Sequence, residues 1–403
     1  MKILLLCKKF PYPLKDGESI AVYTLAKALH ELGCEVSLLA MNTRKHRFKA
    51  ASYPPALNFF QEIRTVEVDN RVKPAAAFRN LFSSASYHIT RFDAPAFRTE
   101  LRAMLQANDY DVVQLETLYL APYIATIRQF SSARIAMRAH NVEHEIWQRL
   151  VANARPALKR WYIHYLTRKL RRFEIQSLDQ YDYLVPITHR DLQLFRRLGA
   201  KCRAIVTPIG LETEDYQPDF GSFRQTPSLS FIGSLDWMPN VEGLQWFLDQ
   251  VWPLLRSRFP QLELHVAGRN TPDHLLQLER PGVIIHGEVP DARAFINQHS
   301  FMMVPLLSGS GMRAKILEGM ALGKVVCTTS IGLEGIEARH REEVLVANTP
   351  EQFVEVLGPY LQQAEQSERL GRHAQELVRA EYDYTRLSKR LVEAYAEASV
   401  VTV

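Results

Sequence analysis

The sequence predicts an α/β protein made of two Rossmann-like domains that face each other across a cleft. Three observations lead there. Short apolar runs alternate with helical patterns through both halves of the chain. The length, 403 residues, exceeds one typical domain. Residues 211–228, rich in Glu, Asp, Gln, Pro and Ser, separate the two series. Alternating strands and helices imply parallel sheets covered on both faces. Ligands of such sheets sit at the C-terminal ends of the strands, so the loops after Val206, Phe231, Ala267 and Val304 are expected to line the cleft.

In the first half, residues 2–7, 35–40, 65–68, 112–115, 135–139, 183–187 and 204–207 read as short strands. Residues 20–32 read as a helix because Leu25, Leu29 and Leu32 recur at helical spacing, and Gly33 offers a C-terminal stop. In the second half, residues 229–233, 262–267, 283–286, 301–305, 325–328 and 344–347 repeat the strand rhythm. These patterns place an N-terminal domain at 1–210, a linker at 211–228 and a C-terminal domain at 229–380. A last segment, 381–403, contains a helix over 384–398 with Leu387, Leu391 and Tyr395 at fourfold spacing, expected to pack back on a domain surface.

Composition excludes several classes. With 47% hydrophobic and 23% charged residues the chain is that of a soluble globular protein. Cys7, Cys34, Cys202 and Cys327 lie far apart and form no CxxC pair, which argues against a zinc ribbon or a disulfide framework and fits a reducing cytoplasm. Residues 1–7 are apolar, but Lys8 and Lys9 follow at once, too soon for a signal-peptide core. No apolar run approaches the roughly 18–20 residues of a membrane span. The net charge of +5 is mild and no recognition motif appears, so nucleic acid is not an expected partner.

The most informative stretch is Ser308-Gly309-Ser310-Gly311-Met312-Arg313-Ala314-Lys315-Ile316-Leu317-Glu318. It joins the apolar run 301–307 to a helix over 316–322 that Gly323 ends. Such a loop presents free backbone N–H groups at a helix N-terminus, where the dipole adds positive potential. Arg313 and Lys315 add two cations, and Glu318 can accept bonds from sugar hydroxyls. The set suits a nucleoside diphosphate with a ribose or sugar beside it. The alternative is an ordinary strand-to-helix connection with solvated charges. His140 ends the strand 135–139 and so points into the cleft; the alternative is a capping or core histidine. Arg269, after a strand end, reaches a base or phosphate or is a surface arginine. Two motifs are set aside. His140-Asn141-Val142-Glu143-His144 spells H-x-x-E-H, but His140 follows directly on a strand, so the two histidines do not share a helix face. Asp109-Tyr110-Asp111 spells D-x-D but precedes a strand, and no metal is expected there.

Five pieces in order carry a resemblance. They are Phe10-Pro11-Tyr12-Pro13 with Asp16-Gly17-Glu18; Arg138-Ala139-His140-Asn141-Val142-Glu143; Thr207-Pro208-Ile209-Gly210-Leu211; Phe231-Ile232-Gly233-Ser234-Leu235-Asp236-Trp237-Met238-Pro239-Asn240; and Gly309 through Lys324. Over nearly its whole length the chain resembles the retaining GT-B glycosyltransferases of family 4, the group 1 glycosyl transferases. The resemblance implies a nucleoside-diphosphate-sugar donor in the C-terminal domain and an acceptor hydroxyl, on a glycan or lipid-linked chain, in the N-terminal one. It implies no metal and no further cofactor. Glu318 matches the second glutamate of the family's E-x7-E motif, associated with the donor ribose; the first falls at Ser310 and is missing. Family members often carry an Arg and a Lys on the diphosphate just after the first strand of the C-terminal domain. Here that loop, Ser234-Leu235-Asp236-Trp237, has no cation, so Arg313 and Lys315 are expected to take over. The resemblance adds Gly309, Ser310, Gly311, Met312, Ser234, Arg269 and Val289 to the donor side, Val289 through its backbone at the base. Gly17 matches the N-terminal glycine-rich loop, and Glu18 stands where a second glycine is common. Glu18, Asn141 and Glu143 fall on the acceptor side, and His140 near the reacting centre. The implied setting is glycan, exopolysaccharide or glycolipid synthesis. A sugar-nucleotide epimerase on the same fold and a non-catalytic sugar-nucleotide-binding protein are the alternatives.

Residues 155–175 read as a helix. Leu158, Tyr162, Leu166, Leu170 and Phe173 form an apolar stripe, and Lys159, Arg160, Arg168, Lys169, Arg171 and Arg172 lie elsewhere, flanked by Trp161 and Tyr165. A second basic cluster is Arg44-Lys45-His46-Arg47-Phe48-Lys49. Cations among interfacial aromatics suit an anionic membrane face, which would hold the protein peripherally on the inner side of a membrane. Alternatively the stripe packs on the core and the basic face is solvated.

Overall fold

The structure, a computed structural model, describes residues 1–14, 17–44, 47–48, 53–153, 156–309 and 311–397. Asp16, Lys45, His46, Lys49, Arg155 and Ser310, singled out above, lie outside them. The chain divides into two compact units, Met1–Gly210 with Leu387–Val403, and Leu211–Arg386.

The first unit holds β1 (Lys2–Cys7), β2 (Glu35–Thr43), β3 (Glu62–Val68), β4 (Val112–Leu115), β5 (Arg134–Ala139), β6 (Tyr183–Pro186) and β7 (Arg203–Ala204). They form one parallel sheet in the order β3-β2-β1-β4-β5-β6-β7. β1 is buried from Ile3 to Cys7, as a central strand covered on both faces must be. β3 starts three residues earlier than expected at 65. Arg64, at this sheet edge, pairs with both Glu62 and Glu100, so a polar stretch forms a strand. β7 is only two residues long, yet its bonding runs on, with Ile205 N–H donating to the Leu184 carbonyl and Thr207 N–H to that of Pro186. Helix Gly17–Glu31 buries Ala21, Val22, Leu25 and Leu29. Gly33 then turns the chain at φ +82°, a conformation that favours glycine.

Helix Ala157–Ser177 buries Leu166 and Leu170 and half-buries Tyr162 and Phe173, while Lys159, Arg160, Trp161, Arg168, Arg171 and Arg172 are exposed. The apolar stripe therefore packs on the core and the basic face meets solvent. The final helix, Tyr384–Glu397, lays one face on the first unit and leaves Lys389 and Arg390 exposed. Leu391 and Tyr395 sit in the first unit's core with Ile3, Leu5 and Val36, and the Tyr395 hydroxyl donates to Gln114 Oε1 at 2.8 Å.

The second unit holds β8 (Ser228–Ile232), β9 (Glu263–Ala267), β10 (Val283–Gly287), β11 (Phe301–Val304), β12 (Val325–Thr328) and β13 (Leu345–Val346). They form a parallel sheet in the order β10-β9-β8-β11-β12-β13. Residues 211–228, expected as a linker, belong to this unit. Leu211 exchanges backbone bonds with Tyr382 and Tyr384, and Tyr216 and Phe223 are buried. Lys324, fully buried, donates to the Asp219 carbonyl at 2.6 Å, Ser222 Oγ at 3.0 Å and the Asn297 carbonyl at 3.1 Å. Two groups of this polar segment, the Asp219 carbonyl and the Ser222 hydroxyl, thus satisfy that ammonium, while Glu214, Asp215 and Gln217 stay exposed. Among the described residues no helix is long and apolar enough to cross a membrane.

Candidate functional site

In the second unit the site grows from two adjacent parallel strands. β8 and β11 are hydrogen-bonded neighbours, so the loops leaving their C-terminal ends emerge side by side. After β11 the helix runs Ala314–Ala321, two residues earlier than expected, with Arg313 at its N-cap position. Arg313 is buried. Its guanidinium donates to the Gly311 carbonyl and lies 5.9 Å from the centre of the Trp237 ring. Gly309, at φ +114°, makes room for it: a Cβ there would stand 2.8 Å from Arg313 Nη2. Gly311 is also left-handed at φ +82°, and Met312 is buried.

Lys315 crosses to the neighbouring loop. Its ammonium donates to Asn240 Oδ1 at 2.7 Å, contacts the Ile232 carbonyl at 3.5 Å, and lies 5.1 Å from the Phe231 ring centre. Asn240 in turn donates to the Ser234 carbonyl at 2.9 Å. Burial, with Arg313 nearby, lowers the Lys315 pKa to about 7. Arg313 and Lys315 are therefore not solvated surface charges. Ser234 Oγ donates to Asp236 Oδ1 at 2.6 Å, and Asn270 donates to Asp236 Oδ2 at 3.0 Å, which ties the β8 loop to the β9 loop. Arg269 is exposed at the end of β9, its carbonyl accepting from Leu235 N–H, and Val289 is half-buried just beyond β10.

Glu318 sits in the second helical turn, half-buried. Burial raises its pKa, against the bond from Tyr216, whose hydroxyl donates to Glu318 Oε1 at 3.2 Å. The Arg293 guanidinium lies 4.5 Å from the Tyr216 ring centre and pairs with Asp215 at 3.3 Å. Ser310 lies outside the described residues.

In the first unit a second cluster forms where β4 and β5 end. Glu116, with no exposed surface, meets Arg138 Nη1 at 3.4 Å and His140 Nε2 at 3.1 Å, and accepts from Gln114. Burial pushes the Glu116 pKa up, but Arg138 and the bonds from His140 and Gln114 outweigh it and hold the carboxyl below its ordinary value. Arg138 also donates to the Ala21 carbonyl at 3.1 Å, anchoring helix Gly17–Glu31. His140 is thus a carboxylate-bonded side chain and not a backbone cap. It lines a small pocket with Asn141, Glu143, Thr117 and Tyr181. Glu143 is buried and accepts from the Tyr119 hydroxyl at 2.9 Å; burial pushes its pKa up to about 7. Gly17 opens its helix and is exposed, with space around it. Glu18 lies 3.3 Å from Lys8 and 3.6 Å from Lys9, so it meets neighbouring cations.

The two set-aside motifs have structural roles. His144 Nδ1 meets Glu174 Oε2 at 2.6 Å, and Glu174 accepts from the backbone N–H groups of Glu143 and His144, capping helix Glu143–Asn153. His140 and His144 therefore face different carboxylates. Asp111 accepts from Lys2 N–H at 2.7 Å at the opposite end of the sheet. Among the described residues no group of three His, Cys, Asp or Glu could hold a metal ion. Glu116, Arg138, Tyr119, Tyr216 and Arg293 were not assigned a site role from the sequence. Glu116 and Arg138 did carry a signal: each is an ionisable residue at the end of an apolar strand.

Residues 16–210 match the family model described as a glycosyl transferase 4-like domain, and residues 226–363 that of glycosyl transferases group 1. A curated relative from Klebsiella pneumoniae, described as an uncharacterized 44.6 kDa protein in the cps region, is 21% identical and covers 95% of this chain and 96% of its own. Sucrose-phosphate synthase from Thermosynechococcus elongatus superposes with a TM-score of 0.70 at 15% identity, covering 100% of each chain. HepE from Anabaena, solved with UDP, gives 0.67 at 11% identity over 98% of this chain and 100% of its own.

Proposed function

The chain belongs to the group 1 glycosyl transferases and is a GT-B glycosyltransferase, and we propose that it moves a sugar from a nucleoside-diphosphate-sugar to an acceptor hydroxyl with retention. In the proposed step the bond from the anomeric carbon to the diphosphate oxygen breaks. The acceptor oxygen takes its place on the same face, and the acceptor proton passes to the departing diphosphate. No metal or further cofactor takes part. The observation that carries this reading is the buried Arg313 with the half-buried Lys315, both close to Gly309 and Gly311. Preorganised positive charge where a diphosphate leaves lowers the barrier most when water is excluded. Glu318 takes the ribose hydroxyls. Ser234, Arg269, Val289, Gly309, Ser310, Gly311 and Met312 surround the donor, with Gly17 approaching its phosphates. His140, oriented by Glu116, contacts the transferred sugar or the acceptor, and Glu18, Asn141 and Glu143 shape the acceptor side.

UDP-sugars are the first donors to test, because HepE was solved with UDP and with UDP-glucose. The cps-region relative supports an acceptor in glycan, exopolysaccharide or glycolipid synthesis. Dispersed free cysteines support a reducing, cytoplasmic setting. The test is nucleoside diphosphate release with and without candidate acceptors. Release that needs an acceptor, and that falls about tenfold or more in Lys315→Ala through a raised donor KM or a lowered kcat, is expected. Donor interconversion without stoichiometric release, or unchanged kinetics in Lys315→Ala, would overturn the reading.

A further inference from the structure

Two phenylalanines stand in water beside the basic helix. Phe82 is 83% exposed and Phe78 is 63% exposed, and their rings meet edge to face at 5.8 Å. They belong to helix Pro74–Asn80 and the turn after it. That turn is pinned to helix Ala157–Ser177: the Tyr165 hydroxyl donates to the Leu81 carbonyl at 2.7 Å, and the Lys169 ammonium to the Asn80 carbonyl at 2.6 Å. Tyr165 stacks on Trp161 at 5.9 Å, and Trp161 is itself 57% exposed. Tyr165 therefore joins Trp161, through its ring, to the residue next to Phe82, through its hydroxyl. The two segments that carry the three exposed aromatics are thus held to one another.

The two segments that carry these aromatics hold charge of one sign. Residues 70–92 and residues 157–173 contain no Asp or Glu. Arg79, Lys159, Arg160, Arg168, Arg171 and Arg172 are all exposed. The other basic cluster differs. Of its described cations, Arg47 meets Glu67 at 3.7 Å, and Arg44 and Arg47 share a depression with Glu67, Asp69 and Arg71, so carboxylates stand among them.

We propose that Phe78, Phe82 and Trp161, with the cations of helix Ala157–Ser177, dock the first unit on an anionic lipid bilayer. Exposed apolar patches rimmed by charge mark interaction surfaces. Phe and Trp enter the boundary between headgroups and acyl chains while Lys and Arg hold acidic headgroups. A nucleic acid would use the cations but offers two edge-to-face phenylalanines no acyl layer to enter, and an acidic protein would have to supply an apolar pocket beside its charges. The inference deepens the proposed function, because a bilayer partner fits a lipid-linked acceptor, yet docking needs neither donor nor turnover. Its failure therefore leaves the transfer reaction intact, and a protein without transferase activity would still bind.

The experiment is co-sedimentation of the full chain with phosphatidylglycerol–phosphatidylcholine vesicles and with pure phosphatidylcholine vesicles, across a salt series. Salt-sensitive binding to the anionic vesicles only is expected. Phe78→Ser/Phe82→Ser should lower partitioning about tenfold by withdrawing the apolar anchors. Each of Lys159→Gln, Arg160→Gln and Arg168→Gln should lower it about fivefold. All five side chains are exposed, so melting temperatures should stay unchanged. No binding to anionic vesicles, or binding untouched in Phe78→Ser/Phe82→Ser, overturns the proposal. So does light scattering that shows a dimer which Phe78→Ser/Phe82→Ser dissolves, since the partner would then be a second copy.

Discussion

The two strand-end clusters, one in each unit, treat buried charge in opposite ways. In the first unit Glu116 is buried with Arg138, His140 and Gln114 around it, so its charge is answered within the fold. In the second unit Lys315 is held by two neutral oxygens, those of Asn240 and Ile232, and burial, with Arg313 nearby, lowers its pKa to about 7 against the pull of Glu318. The first cluster is finished architecture. The second is an electrostatic deficit that a diphosphate would fill. One is expected to stabilise the protein, and the other to cost stability in exchange for affinity.

The sharpest way to break that contrast is to remove a charge from each side. Glu116→Ala leaves the buried Arg138 without a carboxylate partner and should cost about 3–5 kcal/mol of stability, read from urea midpoints. Glu116→Ala/Arg138→Met should recover part of the loss. Lys315→Met should do the reverse. Its melting temperature should hold or rise, because a desolvated ammonium becomes a packed thioether, while kcat/KM for the donor falls about tenfold or more. A Lys315→Met protein that unfolds as readily as Glu116→Ala would mean that Lys315 is structural.

A pH series sharpens the same point. The ordinary lysine value is 10.5, and that of Lys315 in the free protein is about 7. An adjacent diphosphate favours the ammonium and raises the value in the complex. Donor binding then takes up a proton above pH 7. Through Lys315 alone, affinity should be level just below pH 7 and fall roughly tenfold per pH unit above it, up to the value in the complex. Calorimetric titration of UDP across this range checks it, and Lys315→Met should show no such limb.

How far this was legible follows from the range of the interactions. The strands of both sheets were readable because alternation is local. Arg313, Lys315 and Glu318 were readable because one loop and one helical turn bring them together. The surroundings of the two cations were not, since Lys315 meets Asn240 in helix Met238–Trp246 and Arg313 lies near Trp237, the residue before that helix. Glu116 and His140 are far apart in the chain and meet only because β4 and β5 pair in parallel register. Residues 211–228 were misleading for a chemical reason: Asp219, Ser222 and Tyr216 look like solvated chain until Lys324 and Glu318 are seen to need them. The stripe on helix Tyr384–Glu397 was visible, but an apolar stripe does not say which sheet it enters.

Tyr216 gives the smallest and most discriminating test. Its hydroxyl donates to Glu318, and its ring lies under Arg293. Tyr216→Phe keeps the ring and its packing but removes the bond that lowers the Glu318 pKa, which burial already raises. An ionised carboxylate accepts from both ribose hydroxyls more strongly than the protonated acid, so donor affinity should weaken as pH falls through the Glu318 value. That acid limb should move to higher pH in Tyr216→Phe. At neutral pH UDP should bind about threefold more weakly, with less preference over its 2′-deoxy counterpart. A merely structural tyrosine would weaken both nucleotides equally and leave the acid limb in place. That outcome would detach Glu318 from the ribose, and with it the deficit in the second unit would owe its affinity to the cations alone.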